Sequence, residues 1–150
     1  MGSCKEKIIK DYSIGIICFY TGDRKIKYLL IKHSKGHWAF PKGHREKEET
    51  KLETAKRELL EETGIKKIKL IEKKIQIIDS YKFLNSTGGK TLKTVYYFIG
   101  ECDTKKVNID NKEVIKYKWC TLNKSLGIIT FSQQKKVITK ANKIILKLKM

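Results

Sequence analysis

Between Thr50 and Gly64 the sequence marks both ends of a helix, and that bounded helix constrains the fold more than any other feature of the chain. Thr50 and Glu53 form a T-x-x-E capping box, in which each side chain accepts the other residue's backbone N–H and so satisfies donors left over at a helix start. Thr63-Gly64 then places a glycine, free to adopt the left-handed conformation, just past the last turn. A helix is therefore predicted over about 51–62. At about 100° per residue, Leu52, Ala55 and Leu59 share one stripe. That stripe has to pack on another layer.

Strands are the natural candidates for that layer. Apolar and β-branched runs at about 12–20 and 26–33 flank the turn-like "TGDR" and predict a hairpin. Runs at about 69–79 and 91–101 flank "NSTGGK" and predict a second hairpin, and "VIKYKWC", 114–120, predicts a further short strand. A second helix is predicted over about 131–148, where Gln134, Ile138, Ala141, Ile145 and Leu148 recur at three- and four-residue intervals and read as a packing stripe. The chain of 150 residues has a single proline, Pro41, and no repeated or Ser/Gly-rich stretch, so one domain over 1–150 is expected.

The charge distribution is uneven. The formal net charge is +18, yet seven of the sixteen acidic residues fall within residues 43–65. Glu58, Glu61 and Glu62, at i, i+3 and i+4, converge on the face beside the apolar stripe. Like charges so placed repel by a few tenths of a kcal/mol per pair in water, and by more where partly buried. An ordinary solvated helix pairs Glu with Lys at i+4, but Glu58 has Glu62 there and Glu61 has Ile65. A divalent metal would offset the repulsion, since Mg²⁺ takes carboxylate and carbonyl oxygens and keeps several waters. Just upstream, "WAFPKGH" biases Phe40 toward an extended backbone through Pro41, so Lys42 and Gly43 should leave a strand end near the carboxylates. Gly43 would let a backbone carbonyl approach the metal, with Lys42 beside it.

The remaining positive charge, 31 Lys against 3 Arg, is spread along the chain. It fits either a generally lysine-rich surface or a field that attracts nucleotides, RNA or inositol polyphosphates, and charge alone does not choose. Cys4, Cys18, Cys102 and Cys120 form no C-x-x-C pair, and Cys18 lies in the apolar run "IGIICFY", a usage that suits free thiols in a reducing cytoplasm. No stretch approaches the roughly 18 apolar residues that span a bilayer, and "MGSCKEK" lacks the apolar core of a signal peptide, so no membrane partner is expected.

Residues 43–65 match, at every fixed position, the Nudix box G-x5-E-x7-R-E-U-x-E-E-x-G-U, with U aliphatic: Gly43, Glu49, Arg57, Glu58, Leu59, Glu61, Glu62, Gly64 and Ile65. The segment thus resembles the Nudix hydrolases. The resemblance implies an α+β Nudix fold, a mixed β-sheet sandwiched between α-helices, and hydrolysis of a nucleoside diphosphate linked to another group. It implies that Glu58, Glu61 and Glu62 are ligands of Mg²⁺, with Mn²⁺ as a substitute, that Gly43 offers a carbonyl ligand, and that Arg57 and Glu49 brace loop and helix. On that chemistry, metal ions neutralise phosphate oxygens and activate a water for in-line attack on phosphorus, while a carboxylate takes its proton. Glu62, Glu58 and an acid outside the box are candidates for that base, Glu113 being preferred to Glu101 and also expected beside the metal.

The flanks resemble the animal-type asymmetric diadenosine tetraphosphate hydrolases from about residue 12 to residue 146. The shared features are a first strand like "SIGIICFY", an "HW-x-x-PKGH" lead into the box, a later "KTV-x-Y" strand, a Tyr-x-Trp, and a phenylalanine twelve residues after that Trp, here Phe131. Phe40 departs from the family's frequent proline, and "EKEE" at 46–49 from its common "EPGE". The resemblance implies phosphate contacts at His37, Lys42 and Lys93, and aromatic surfaces for an adenine at Tyr97 and Phe131, where stacking contributes about 1–3 kcal/mol per base. Each has a plainer alternative: Tyr97 as a strand core residue, Phe131 as a staple for the last helix, His37 as a turn residue. Asymmetric cleavage of diadenosine tetraphosphate to ATP and AMP is the expected activity. Other Nudix substrates (RNA 5′ ends, oxidised nucleoside triphosphates, inositol pyrophosphates) stay open, as does a non-catalytic binding module, although the intact carboxylate set argues against the last. A monomer acting on a small dinucleoside polyphosphate is expected, with RNA admissible but not required.

Overall fold

In the computed structural model, which describes residues 8–149, eight strands form one sheet: β1 (Ile8–Tyr20), β2 (Lys27–His33), β3 (Trp38–Ala39), β4 (Lys42–Gly43), β5 (Lys69–Leu70), β6 (Ile77–Leu84), β7 (Lys90–Glu101) and β8 (Val114–Cys120). Three helices cover it, α1 (Lys51–Thr63), α2 (Leu122–Ile128) and α3 (Ser132–Leu148). Cys4 and the N-terminal "MGSCKEK" lie outside the described residues.

β1 organises the molecule because it runs parallel to β7 from Ile8↔Lys90 to Phe19↔Glu101 and antiparallel to β2 and β4. A parallel pair needs a long crossover, and the crossover carries α1. Side chains alternate across a strand, so β1 supplies two cores. Ile14, Ile16 and Cys18 pack with Ala55 and Leu59 of α1, with Leu52 partly buried beside them. Ile17 and Phe19 pack on the other face with Val137, Ile138, Ala141 and Ile145 of α3. The sheet is mixed and lies between helices, as expected from the resemblance. Cys18, Cys102 and Cys120 are free and buried. No helix among the described residues is long and apolar enough to cross a membrane.

Three expectations about elements need correction. The second hairpin does close around "NSTGGK", where Asn85 Oδ1 accepts from Thr87 N and Gly89 N at 3.1 Å, but its first strand is β6 at Ile77–Leu84 rather than 69–79. The apolar run is interrupted at Glu72 and Lys73, whose φ of 58° and 47° turn the chain, so only Lys69–Leu70 of its first part pairs with β7. α2 has no strong sequence mark, since Thr121 caps it without an acidic partner at Lys124. Leu148 is 56% exposed, and Val137 occupies the α3 stripe in its place.

Candidate active site

The capping box forms as the spacing requires. Thr50 Oγ1 accepts from Glu53 N and Glu53 Oε1 accepts from Thr50 N, both at 3.1 Å. Gly64 takes φ 72° and donates its N–H to Leu60 O at 2.9 Å, closing α1. Both ends of the helix are thereby held, and so is the phase of its carboxylates.

Arg57 ties the helix to the loop before it. Its Nε donates to Glu49 Oε2 at 2.7 Å, Nη2 donates to Glu49 Oε1 at 3.0 Å and to His44 O at 2.9 Å, and Nη1 donates to Glu58 Oε1 at 2.9 Å. Glu49 also accepts from Glu46 N at 2.8 Å and from Thr54 Oγ1 at 3.0 Å. The Arg57 bonds, reinforced by the Glu46 N–H, hold the Glu49 carboxyl down at about 2. A two-pronged guanidinium bond of this kind sets orientation as well as energy.

Gly43 lies in β4, paired with Ile14 of β1, and its backbone sits against the Glu58 carboxylate; a Cβ added there would collide with that group. Glu62 is 3% exposed, accepts from the Lys42 N–H, and keeps a buried Oε2 with no hydrogen-bond partner. Burial, then the neighbouring Glu58 charge, pushes the Glu62 carboxyl well above the ordinary range. Burial raises Glu58 as well, against the pull of Arg57. Two desolvated carboxylates side by side destabilise the ionised pair until a cation arrives.

The expected set of three carboxylates is not assembled. Glu61 is 57% exposed, with its carboxylate 3.4 Å from Arg57 Nη1, and it does not line the cavity beside Glu58 and Glu62. Among the described residues no three His, Cys, Asp or Glu side chains gather into a ready metal cluster. The orphaned Glu62 oxygen, the adjacent Glu58 and the side-chain-free backbone of Gly43 fit Mg²⁺, which is held by one or two carboxylates and completes its shell with water and phosphate oxygens.

These groups open on a cavity of about 700 Å³ whose wall includes His37, Lys42, Gly43, Arg57, Glu58, Glu62, Lys93 and Glu113. Eight of the residues singled out from the sequence thus share one cleft. Lys42 is brought down to about 8 by burial and by the Lys93 charge. Lys93 is 9% exposed and donates to Asp11 Oδ2 at 2.8 Å and Ser13 Oγ at 2.6 Å. His37 stacks on His33 at 4.5 Å and meets Phe131 at 5.6 Å. Glu101 lies elsewhere, accepting from Thr21 Oγ1 at 2.8 Å beside a separate lysine-lined concavity.

Tyr97 has no face to offer a base. It is fully buried, edge-on to Phe40 at 5.7 Å, and belongs to the core between the sheet and α3. Tyr81 and Phe83 of β6, with ring centroids 6.1 Å apart, instead join Phe131 around a second cavity of about 390 Å³, and both also line the first. The two-residue spacing of Tyr81 and Phe83 was the available signal, obscured by ending that strand at residue 79. Asp11, which bridges Lys93 and His44 Nε2 (2.9 Å), and the half-buried His33 were likewise missed.

Among known proteins, the NUDIX domain family matches residues 10–141. The chain is 33% identical over 124 residues to the bis(5′-nucleosyl)-tetraphosphatase [asymmetrical] of Rattus norvegicus, covering 80% of this chain and 81% of that one. It is 34% identical over 148 residues to an RNA pyrophosphohydrolase of Bartonella quintana, covering 85% and 84%. Its fold superposes on a C. elegans Ap4A hydrolase binary complex with a TM-score of 0.77 at 23% identity, over 91% of this chain and 98% of that one.

Proposed function

This chain belongs to the NUDIX family, and from that premise we propose that it is a Mg²⁺-dependent hydrolase that cleaves diadenosine tetraphosphate asymmetrically to ATP and AMP. The observation that carries this is the sequence of environments in the cleft: the buried Glu62 beside the part-buried Glu58, then Lys42, Lys93 and His37, then the rings of Tyr81, Phe83 and Phe131. A metal site, a phosphate track and a base platform follow one another. Similarity to the rat tetraphosphatase over four-fifths of each chain supports the choice of substrate.

Glu58, Glu62 and the Gly43 carbonyl would hold the divalent cation, which when bound neutralises phosphate oxygens and eases deprotonation of water. Lys42 and Lys93 balance the charge of the polyphosphate and align it, and Asp11 with Ser13 holds the Lys93 ammonium in place. Glu113 takes the proton of the attacking water. The new O–P bond forms at the phosphorus of the departing AMP as the anhydride bond to ATP breaks, with arginine-held Glu58 and the other cleft groups kept in register by the Arg57 clasp.

A second reading, pyrophosphohydrolysis at RNA 5′ ends, is favoured by the +18 charge and by the similarity to the Bartonella enzyme. Incubation with Mg²⁺ and a panel of diadenosine tetraphosphate, triphosphorylated and capped RNA, oxidised nucleoside triphosphates and inositol pyrophosphates in ¹⁸O water separates them. ATP plus ¹⁸O-labelled AMP supports the first reading. Preference for RNA ends replaces it with the second, and no turnover of any substrate refutes both.

A further inference from the structure

Gln134 stands in the first turn of α3 and is 3% exposed, yet its Oε1 is buried without a hydrogen-bond partner. The other buried positions of that helix are Val137, Ile138, Ala141 and Ile145, all apolar. A buried amide oxygen left unpaired costs about 1–3 kcal/mol, so packing alone would favour leucine at this place. Gln134 is also one of the residues that line the cavity of about 390 Å³ that Tyr81, Phe83 and Phe131 surround. Tyr97 Oη and Asp79 Oδ2 are buried and unpaired too, but neither residue lines this cavity.

We propose that Gln134 is a specificity residue whose carboxamide reads the hydrogen-bonding edge of an adenine held between these rings. This rests on the nucleotide-hydrolase reading of the cleft and extends it from the phosphates to the base. Aromatic stacking tolerates any base, because every base has a π-face. A carboxamide does not, since it presents one acceptor and one donor side by side, the complement of an adenine amino group next to a ring nitrogen. Binding would give the orphaned oxygen its missing donor.

The test is a cycle between side chain and ligand, read by calorimetric binding in Mg²⁺ buffer and therefore independent of turnover. The ligands are AMP and purine riboside 5′-monophosphate, which carries hydrogen in place of the 6-amino group; the proteins are wild type, Gln134→Leu and Gln134→Met, with melting temperatures recorded for each. The wild type is expected to bind AMP about five- to tenfold more tightly than the analogue, the worth of one hydrogen bond. Both variants should fold at least as stably as the wild type and bind the two ligands equally, at the weaker affinity. A wild type that does not distinguish the ligands, a variant that keeps the preference, or AMP binding no tighter than ribose 5-phosphate overturns the proposal. Lost preference in the variants together with no tetraphosphate hydrolysis by the wild type would sink the catalytic reading and leave this one standing. Hydrolysis with the preference intact in Gln134→Leu does the reverse.

Discussion

At the scale of single residues, buried charge is the organising quantity. Glu62 is held in a place where its ionised form is unfavourable, and a divalent ion would reverse that. Glu62→Gln is therefore expected to lower turnover of diadenosine tetraphosphate by about 100-fold or more and to abolish any rise in melting temperature on adding Mg²⁺. Without metal the variant should melt no lower than the wild type, because a neutral amide replaces a carboxyl whose ionisation burial opposes; scanning calorimetry with and without chelator checks both halves. His33 offers a pH test. Burial, then the His37 and Lys42 charges, brings it down to about 4, against an unfolded value near 6.5. Between those values the unfolded chain binds the proton and the folded one does not, so stability is complete above about pH 6.5 and declines as pH falls toward 4. His33→Asn should flatten that limb in urea titrations run from pH 4 to 7, while an unchanged limb would place the proton uptake elsewhere.

At the scale of elements, α1 was legible almost to the residue and β6 was not. The helix is bounded by local chemistry, a side-chain cap and a left-handed glycine, that neighbouring residues provide by themselves. Thr50→Ala should destabilise by about 1 kcal/mol through loss of the cap. Gly64→Ala should cost about 1–2 kcal/mol, since φ 72° disfavours a Cβ and the new atom would stand 3.2 Å from Asn108 Cβ. Urea denaturation measures both, and each variant should keep its kcat, because neither residue reaches the cleft. β6 shows the opposite case. Its burial alternates weakly along Ile77–Leu84, and its pairing is imposed by β7, so apolar content alone moved its predicted end to residue 79 and hid Tyr81 and Phe83. Tyr97, which the resemblance implied as an adenine surface, lies one strand over and inside the core.

At the scale of the whole molecule, charge sign and charge placement act separately. The net +18 creates a long-range attraction for a polyphosphate, whereas the carboxylates of buried Glu62 and part-buried Glu58 act only at contact distance. Raising salt from about 50 to 500 mM should lower kcat/KM for diadenosine tetraphosphate by roughly tenfold with little change in kcat, as screening shortens the reach of the surface lysines. A flat salt profile would show that the lysines take no part in capture. The sequence by itself determined the carboxylate-bearing helix and its phase, because a spacing of three and four residues on a capped helix is a local geometry, while the match to a known motif carried the family and the bracing role of Arg57. Tertiary structure alone decided which of three glutamates turn inward, that Asp11 and Ser13 grip Lys93, and that Tyr81, Phe83, Phe131 and Gln134 enclose one cavity. Those outcomes depend on burial and on strand register between segments far apart in the chain, and burial is what converts an ordinary carboxylate or amide into a group that needs a ligand.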